Sequence, residues 1–233
     1  MCIRDSLIVF LHGDGSPDSP RPGIPKKSHI RFAKELINDD NNTFLFARPG
    51  YFIRERGSSE EDRYSSGPRD AIKSTVVNYS WKNFQILAPA LENLRKYYKP
   101  EKLILIGHSG GAYQGGTIHG KVPGLVDINI LISCPCDWEI RKKLSNGKKW
   151  ETKSQLKELK KNSPSFNYKD IDLKSLNILI VGKDDKNTAP GVSKYYYDLL
   201  KKKKLQVKLH IIDGGHGLRS MPTIGSIIKE YIN

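Results

Sequence analysis

The apolar positions of this chain fall into six short segments that are rich in β-branched residues, at 7–11, 43–47, 103–106, 128–132, 178–181 and 207–212. Each segment has the length of a strand and is almost uninterrupted by polar residues, which is typical of strands buried on both faces of a sheet. Between most of them the apolar residues recur with helical spacing, at 26–38, 76–98, 109–119, 191–203 and 224–232. Alternating strands and helices predict an α/β fold, with a mainly parallel sheet and helices on both of its faces.

Two longer insertions interrupt this alternation, at 48–73 and 134–173. The second contains a lysine-rich amphipathic segment at 153–161, in which Leu156 and Leu159 can pack downward. We therefore expect this segment to form a short helix that covers the functional site, as part of a small lid. The length of 233 residues, with 37% apolar side chains and no internal repeat, fits a single domain.

The chain carries a formal net charge of +14, which raises the question of an anionic partner such as a nucleic acid. The lysines are concentrated at 157–161 and 201–204, on or after predicted helices, and no nucleic-acid motif or aromatic stripe accompanies them. This pattern favours a solvated surface and no nucleic-acid partner. No stretch approaches the roughly 20 apolar residues of a membrane span. The compartment and the oligomeric state stay open.

The three cysteines do not form the framework of a disulfide-rich protein. Cys134 and Cys136 flank a single proline, a spacing that we expect to be too close for an unstrained bond, so free thiols are predicted. The pair has no second pair at zinc-like spacing and no nearby histidine cluster, and we therefore expect no metal site.

The first six residues, Met-Cys-Ile-Arg-Asp-Ser, match the translation of an adapter used in sequencing libraries. We expect that Met1 to about Ser6 are foreign to the protein, and that native sequence before Leu7 has been lost. A signal peptide can therefore be neither assigned nor excluded.

The strand at 103–106 runs directly into Gly107-His108-Ser109-Gly110-Gly111, which has the pattern G-x-S-x-G. Glycines two residues before and after the serine let strand and helix approach closely, so the serine hydroxyl is exposed above the sheet. The backbone N–H of Gly110 then lies at a helix N-terminus, where it can bind an oxyanion. The pattern predicts Ser109 as a nucleophile.

From Leu7 to its end the chain resembles the α/β-hydrolase family, because three further motifs follow strands in the order of that family. The resemblance implies an oxyanion loop at His12-Gly13-Asp14-Gly15, an acid in Val181-Gly182-Lys183-Asp184-Asp185, and a histidine in Asp213-Gly214-Gly215-His216-Gly217. It implies His216 as general base and Asp185 as the acid that orients it, with Asp184 as the alternative acid. The antiparallel hairpin that usually precedes the first motif-bearing strand in this family is missing, which agrees with the expected loss of native N-terminal sequence.

The same resemblance implies an oxyanion hole built from the backbone of Gly110, Asp14 and Gly13. A carboxylate would oppose a nearby oxyanion, so we expect the Asp14 side chain to point outward and bond the local backbone. The segment Arg48-Pro49-Gly50-Tyr51 is similar to a family loop and is interpreted as structural. His12 and Tyr51 are candidate substrate-contacting residues.

These residues predict acyl transfer through a covalent intermediate on Ser109, without a cofactor. A carboxylic ester is the first expected substrate, because small members of this family are most often esterases. An amide or peptide bond is the alternative, and for it a group that captures a peptide terminus is needed; the candidates are Arg54, Arg56, Arg63 and Arg69. A non-catalytic binding protein with this fold is a more remote alternative.

Overall fold

The structure, a computed structural model, describes residues 6–14, 27–46, 48, 52–53, 64–65, 79–81, 85–144, 153–217 and 221–232. Its strands are β1 (Ser6–Leu11), β2 (Asn41–Phe46), β3 (Phe52–Ile53), β4 (Tyr64–Ser65), β5 (Lys102–His108), β6 (Ile128–Ile132), β7 (Leu176–Gly182) and β8 (Gln206–Ile212). Six of them form one parallel sheet in the order β2-β1-β5-β6-β7-β8, whereas β3 and β4 form a separate antiparallel pair. The parallel strands are the six that the sequence predicts.

Helices cover both faces of this sheet. The helices are α1 (Lys27–Glu35), α2 (Leu87–Tyr98), α3 (Gly110–Lys121), α4 (Trp138–Leu144), α5 (Lys153–Lys161), α6 (Pro164–Asn167), α7 (Pro190–Lys202) and α8 (Met221–Ile232). Apolar side chains of α1 and α8 pack on one face, and those of α2, α3 and α7 pack on the other. The predicted α/β architecture is therefore confirmed.

The central strand β5 shows why these residues form a doubly covered sheet. Successive side chains of a strand point to opposite faces, so Ile104 and Ile106 join the core beneath α1 and α8, while Leu103 and Leu105 join the core beneath α2 and α3. All four side chains are fully buried. The uninterrupted apolar run thus places the end of β5, and the serine that follows it, in the middle of the sheet.

The helix predicted at 76–98 is shorter in the structure, where α2 begins at Leu87. Residues 79 and 80 form a turn and a bend, Trp81 is helical, and a second turn occupies 85–86. Residues 76–78 and 82–84 lie outside the described residues. Pro89 explains the late start, because a proline lacks the N–H that a helix interior requires and is tolerated in the first turn.

The second insertion packs on α3. Leu159 of α5 is fully buried and Leu156 is half-buried, so the predicted amphipathic helix does turn its apolar side inward. The hydroxyl of Tyr113 donates to the Leu159 carbonyl at 2.6 Å, and that of Thr117 donates to the Asn162 carbonyl at 2.5 Å. The insertion continues through α6 and a 3-10 helix (Tyr168–Asp170), and reaches the start of β7.

The prediction of free thiols is wrong for Cys134 and Cys136, which form a disulfide bond in the structure. Ser133, directly after β6, adopts a positive φ of 49° and lies in a bend, and the Cα atoms of the two cysteines that follow are 5.1 Å apart. That separation lies within the ordinary range for disulfides. Both cysteines are fully buried.

Within the described part of the chain, no helix is both long and apolar enough to cross a membrane. The same described residues contain no group of three or more His, Cys, Asp or Glu side chains that could hold a metal ion.

Candidate active site

The turn between β5 and α3 gives Ser109 an unusual backbone conformation, with φ 53° and ψ −117°. The flanking glycines are required by close approach of the chain: a Cβ atom on Gly107 would lie 2.5 Å from the Ala112 backbone, and one on Gly111 would lie 2.1 Å from the Leu11 carbonyl oxygen. The Ser109 N–H donates to the Ile132 carbonyl at 2.8 Å, which ties the turn to the end of β6. The sequence pattern therefore forms the sharp turn that it predicts.

The structure brings Ser109, His216 and Asp185 together at the carboxyl ends of neighbouring strands. The Ser109 hydroxyl lies 2.9 Å from His216 Nε2, and His216 Nδ1 lies 2.9 Å from Asp185 Oδ2. The His216 side chain is 26% exposed, whereas that of Asp185 is fully buried. A base with one nitrogen on a hydroxyl and the other on a buried carboxylate can accept a proton and be stabilised as a cation.

The loop after β7 distinguishes the two adjacent aspartates. Asp184 is exposed and uses its backbone N–H to bond the Gly214 carbonyl at 3.0 Å, so it ties the two loops together. Asp185 points inward. Burial alone would raise its pKa, but hydrogen bonds from His216 and Thr188 outweigh that effect and lower the pKa of Asp185 to about 2. Its carboxylate is therefore ionised at neutral pH.

Thr188 is a part of the site that the sequence did not reveal. Its N–H donates to Asp185 Oδ1 at 2.8 Å, and its hydroxyl lies 2.7 Å from Asp185 Oδ2 and 3.1 Å from the Ser133 carbonyl. The N–H of Asn187 also donates to Asp185 Oδ1, at 2.9 Å. An aspartate side chain in a turn commonly accepts a bond from the backbone N–H two residues on, as Asp185 does from Asn187, and this signal could have drawn attention to the residues that follow Asp185.

A second histidine supports the loop that carries His216. His108 Nε2 donates to the His216 carbonyl at 3.0 Å, and His108 Nδ1 lies 3.4 Å from His29 Nε2 on α1. Burial lowers the pKa of His108 to about 4, so the ring stays neutral at pH 7. His29, to which the sequence assigns no partner, therefore belongs to the support of this site.

The loop after β1 lies against the nucleophile, where the oxyanion hole is expected. A Cβ atom on Gly13 would lie 2.6 Å from the His108 ring and 3.2 Å from Ser109 Cβ, so the backbone of Gly13 packs directly on this turn. Gly110 is the first residue of α3, and the first N–H groups of a helix have no partner within that helix.

The expectation that Asp14 points outward is wrong. Asp14 Oδ1 accepts a bond from Arg48 Nη1 at 2.7 Å, and its other oxygen accepts one from the Tyr79 hydroxyl. The positive charge of Arg48 makes this inward position favourable, because it compensates the carboxylate at the place where the sequence expected repulsion.

Of the two other candidate substrate contacts, His12 and Tyr51, the structure describes His12. His12 is buried: its Nδ1 donates to the Gly13 carbonyl at 2.8 Å, and its Nε2 accepts the Arg48 N–H at 3.2 Å. Its ring therefore holds the loop and does not face a substrate. Tyr51, with the candidate arginines Arg54, Arg56, Arg63 and Arg69, lies outside the described residues.

A parallel sheet covered by helices on both faces, with a serine at a strand-to-helix turn, defines a class of protein. The chain belongs to the α/β-hydrolase superfamily of serine hydrolases. A family model described as the prolyl oligopeptidase family matches residues 38–230, and the chain belongs to that family. Among curated proteins, no sequence matches the chain.

Solved structures resemble the chain in fold. An acylaminoacyl peptidase of Pyrococcus horikoshii superposes with a TM-score of 0.70 at 17% identity, over 99% of this chain and 37% of the peptidase. An esterase of Pyrococcus furiosus superposes with a TM-score of 0.64 at 16% identity, over 98% of this chain and 84% of the esterase. The chain thus spans little more than a third of the peptidase, and identities this low concern the fold alone.

Proposed function

We propose that the chain hydrolyses an acyl bond through a covalent intermediate on Ser109, with His216 as general base and Asp185 as the group that orients and stabilises the histidine. The observation that supports this proposal is the position of the His216 ring, 2.9 Å from the serine hydroxyl on one side and 2.9 Å from a buried carboxylate on the other. Each contact is of a length at which a proton can be shared or transferred.

The reaction has two halves with the same base. His216 Nε2 takes the proton of the Ser109 hydroxyl as the oxygen attacks the substrate carbonyl carbon. When the tetrahedral intermediate collapses, the bond to the alcohol or amine breaks, and that leaving group receives the proton from His216. Water then gives a proton to His216 and attacks the acyl carbon. When this second tetrahedral intermediate collapses, the bond to the Ser109 oxygen breaks, the acid leaves, and His216 returns the proton to Ser109.

The oxyanion of each intermediate is assigned to the backbone N–H groups of Gly110 and Asp14. Gly110 opens α3, whose aligned peptide dipoles favour a negative charge at this end. The close packing of Gly13 on Ser109 supports a place for the β1 loop on the same side. Removal of a single oxyanion donor typically costs about 10²–10³ in kcat.

Two substrate classes are compatible with this chemistry. A carboxylic ester is the first, on the general resemblance to small esterases, and the argument is one of analogy. A peptide or amide bond is the second candidate, and membership of the prolyl oligopeptidase family favours it. An amine is a poor leaving group, so this second substrate depends more strongly on protonation by His216.

The proposal is tested by measuring kcat and KM on a panel of short nitrophenyl esters and matched aminoacyl anilides. We expect Ser109→Ala and His216→Ala each to lower kcat by about 10⁴–10⁶. Ser226→Ala and His210→Ala are matched controls away from the site and should retain wild-type rates. A preference for esters or anilides decides the substrate class, whereas hydrolysis that persists in Ser109→Ala would contradict the proposal.

A further inference from the structure

Arg48 is fully buried beside the candidate oxyanion site, although the sequence suggests only a structural loop. Its Nη1 donates to Asp14 Oδ1 at 2.7 Å and to the His12 carbonyl at 3.1 Å, and its Nε donates to Gln114 Oε1 at 2.9 Å. Gln114 belongs to α3, so this one side chain joins the β1 loop to the helix that follows Ser109.

Arg48 and Asp14 lie directly over Gly110. A Cβ atom on Gly110 would lie 2.5 Å from Asp14 Oδ1, 2.6 Å from the Tyr79 hydroxyl and 2.7 Å from Arg48 Nη1. Side-chain groups therefore fill the space over the residue whose N–H is assigned to the oxyanion. A carboxylate charge here lies close to the residue whose N–H is assigned to the charge that develops during attack.

Charge is the reason why this arrangement matters for catalysis. In a partly buried site two like charges at such a separation repel strongly, because little water screens them. The guanidinium of Arg48 holds a permanent positive charge beside one carboxylate oxygen of Asp14, and the Tyr79 hydroxyl donates a hydrogen bond to the other oxygen. The net charge of the Arg48–Asp14 pair is close to zero, and the two contacts fix the direction of the Asp14 side chain.

We propose that Arg48 is a positioning residue for the reaction: it neutralises and orients Asp14 over Gly110, so that the oxyanion forms beside an ion pair and not beside a bare carboxylate. This inference rests on the proposed role of Ser109. Tyr79 assists by holding the second oxygen of Asp14.

A double-mutant cycle separates this electrostatic role from simple packing. Arg48→Met keeps the length of the side chain but leaves Asp14 without its counter-charge, and we expect kcat to fall about 100-fold with little change in KM. In the double variant Arg48→Met/Asp14→Asn the uncompensated carboxylate is gone, and kcat should recover about tenfold relative to Arg48→Met. Arg48→Lys, which keeps the charge, should be faster than Arg48→Met.

The matched control is Arg95→Met, which removes an arginine from α2. Arg95 bonds the Leu125 carbonyl at 2.6 Å and pairs with Asp127 at 3.1 Å, near the start of β5 and away from Ser109. It should leave kcat unchanged. Thermal unfolding of each variant shows whether the compared proteins are folded.

If Arg48→Met does not fold, a second double-mutant cycle, on Tyr79 and Asp14, tests the same inference. Tyr79→Phe removes only the hydroxyl that bonds Asp14, so kcat should fall and then recover in Tyr79→Phe/Asp14→Asn. The inference is overturned if, in folded proteins, the double variants are no faster than Arg48→Met and Tyr79→Phe. An inactive wild type, or activity that does not depend on Ser109, contradicts the proposed function itself and is distinguished by the Ser109→Ala arm.

Discussion

At the scale of single residues, the two adjacent aspartates after β7 make a sharp comparison. They are neighbours in sequence, yet Asp185 is buried and hydrogen-bonded to His216, whereas Asp184 is exposed. An acid in this place keeps the histidine in the tautomer that presents Nε2 to the serine. Only Asp185 has the geometry for that task.

We therefore expect Asp185→Asn to lower kcat by about 10³–10⁴, because the amide would favour the wrong tautomer and would not stabilise the imidazolium. Asp184→Asn is the matched control and should stay near the wild-type rate. Steady-state kinetics on the preferred substrate of the panel measure both. Equal losses in the two variants would contradict the assignment of Asp185.

The sequence predicted Ser109, His216 and both candidate acids, because each residue follows a strand in a short local motif. It did not predict Thr188 or the inward direction of Asp14. Thr188 follows Asp185 by three residues, but its hydroxyl also reaches the distant Ser133 carbonyl. The direction of Asp14 depends on Arg48, which is 34 residues away in sequence, and no local pattern encodes these long-range contacts. Long-range pairs of this kind become visible only when the strand ends are assembled.

At the scale of elements, strands were easier to predict than the connections between them. Strands buried on both faces give continuous apolar runs, and all six occur where those runs lie. The prediction failed where turns and prolines decide the backbone. Pro89 shortens α2, and the bend at Ser133 precedes two cysteines that lie within bonding distance.

The insertion that carries α5 offers a test of packing at this scale. Leu159 is fully buried in the core beneath α3, whereas Leu156 of the same helix is half-buried. Leu159→Ala should lower the free energy of unfolding by about 2–5 kcal/mol, and Leu156→Ala should lower it less. Urea denaturation measures both values. Equal small effects would show that α5 is not packed as the structure has it.

At the scale of the whole molecule, three buried histidines link stability to pH. Burial lowers the pKa values of His12, His108 and His119 to about 4 in the folded protein, from 6.5 for an unperturbed histidine. The unfolded chain therefore binds more protons than the folded one between these pH values. The stability is fully present above about pH 6.5 and is lost as the pH falls toward 4.

We expect the free energy of unfolding to fall between pH 6.5 and pH 4, by up to about 1.4 kcal/mol per pH unit for each histidine that titrates. His119 lies on α3 away from Ser109, with its Nε2 3.1 Å from the Ser175 hydroxyl. His119→Gln should therefore reduce the slope without removing activity. Urea unfolding at several pH values gives the slopes, and an unchanged slope in this variant would refute the link.

Labelling with a fluorophosphonate probe, followed by mass-spectrometric mapping of the modified residue, tests the central claim most directly. A fluorophosphonate reacts with a serine that an adjacent base has activated, and it does not depend on knowing the natural substrate. We predict that the label appears on Ser109, is absent in Ser109→Ala and is strongly reduced in His216→Ala. A folded wild-type protein that takes up no label, or takes it up on another serine, would contradict the assignment of Ser109 as nucleophile.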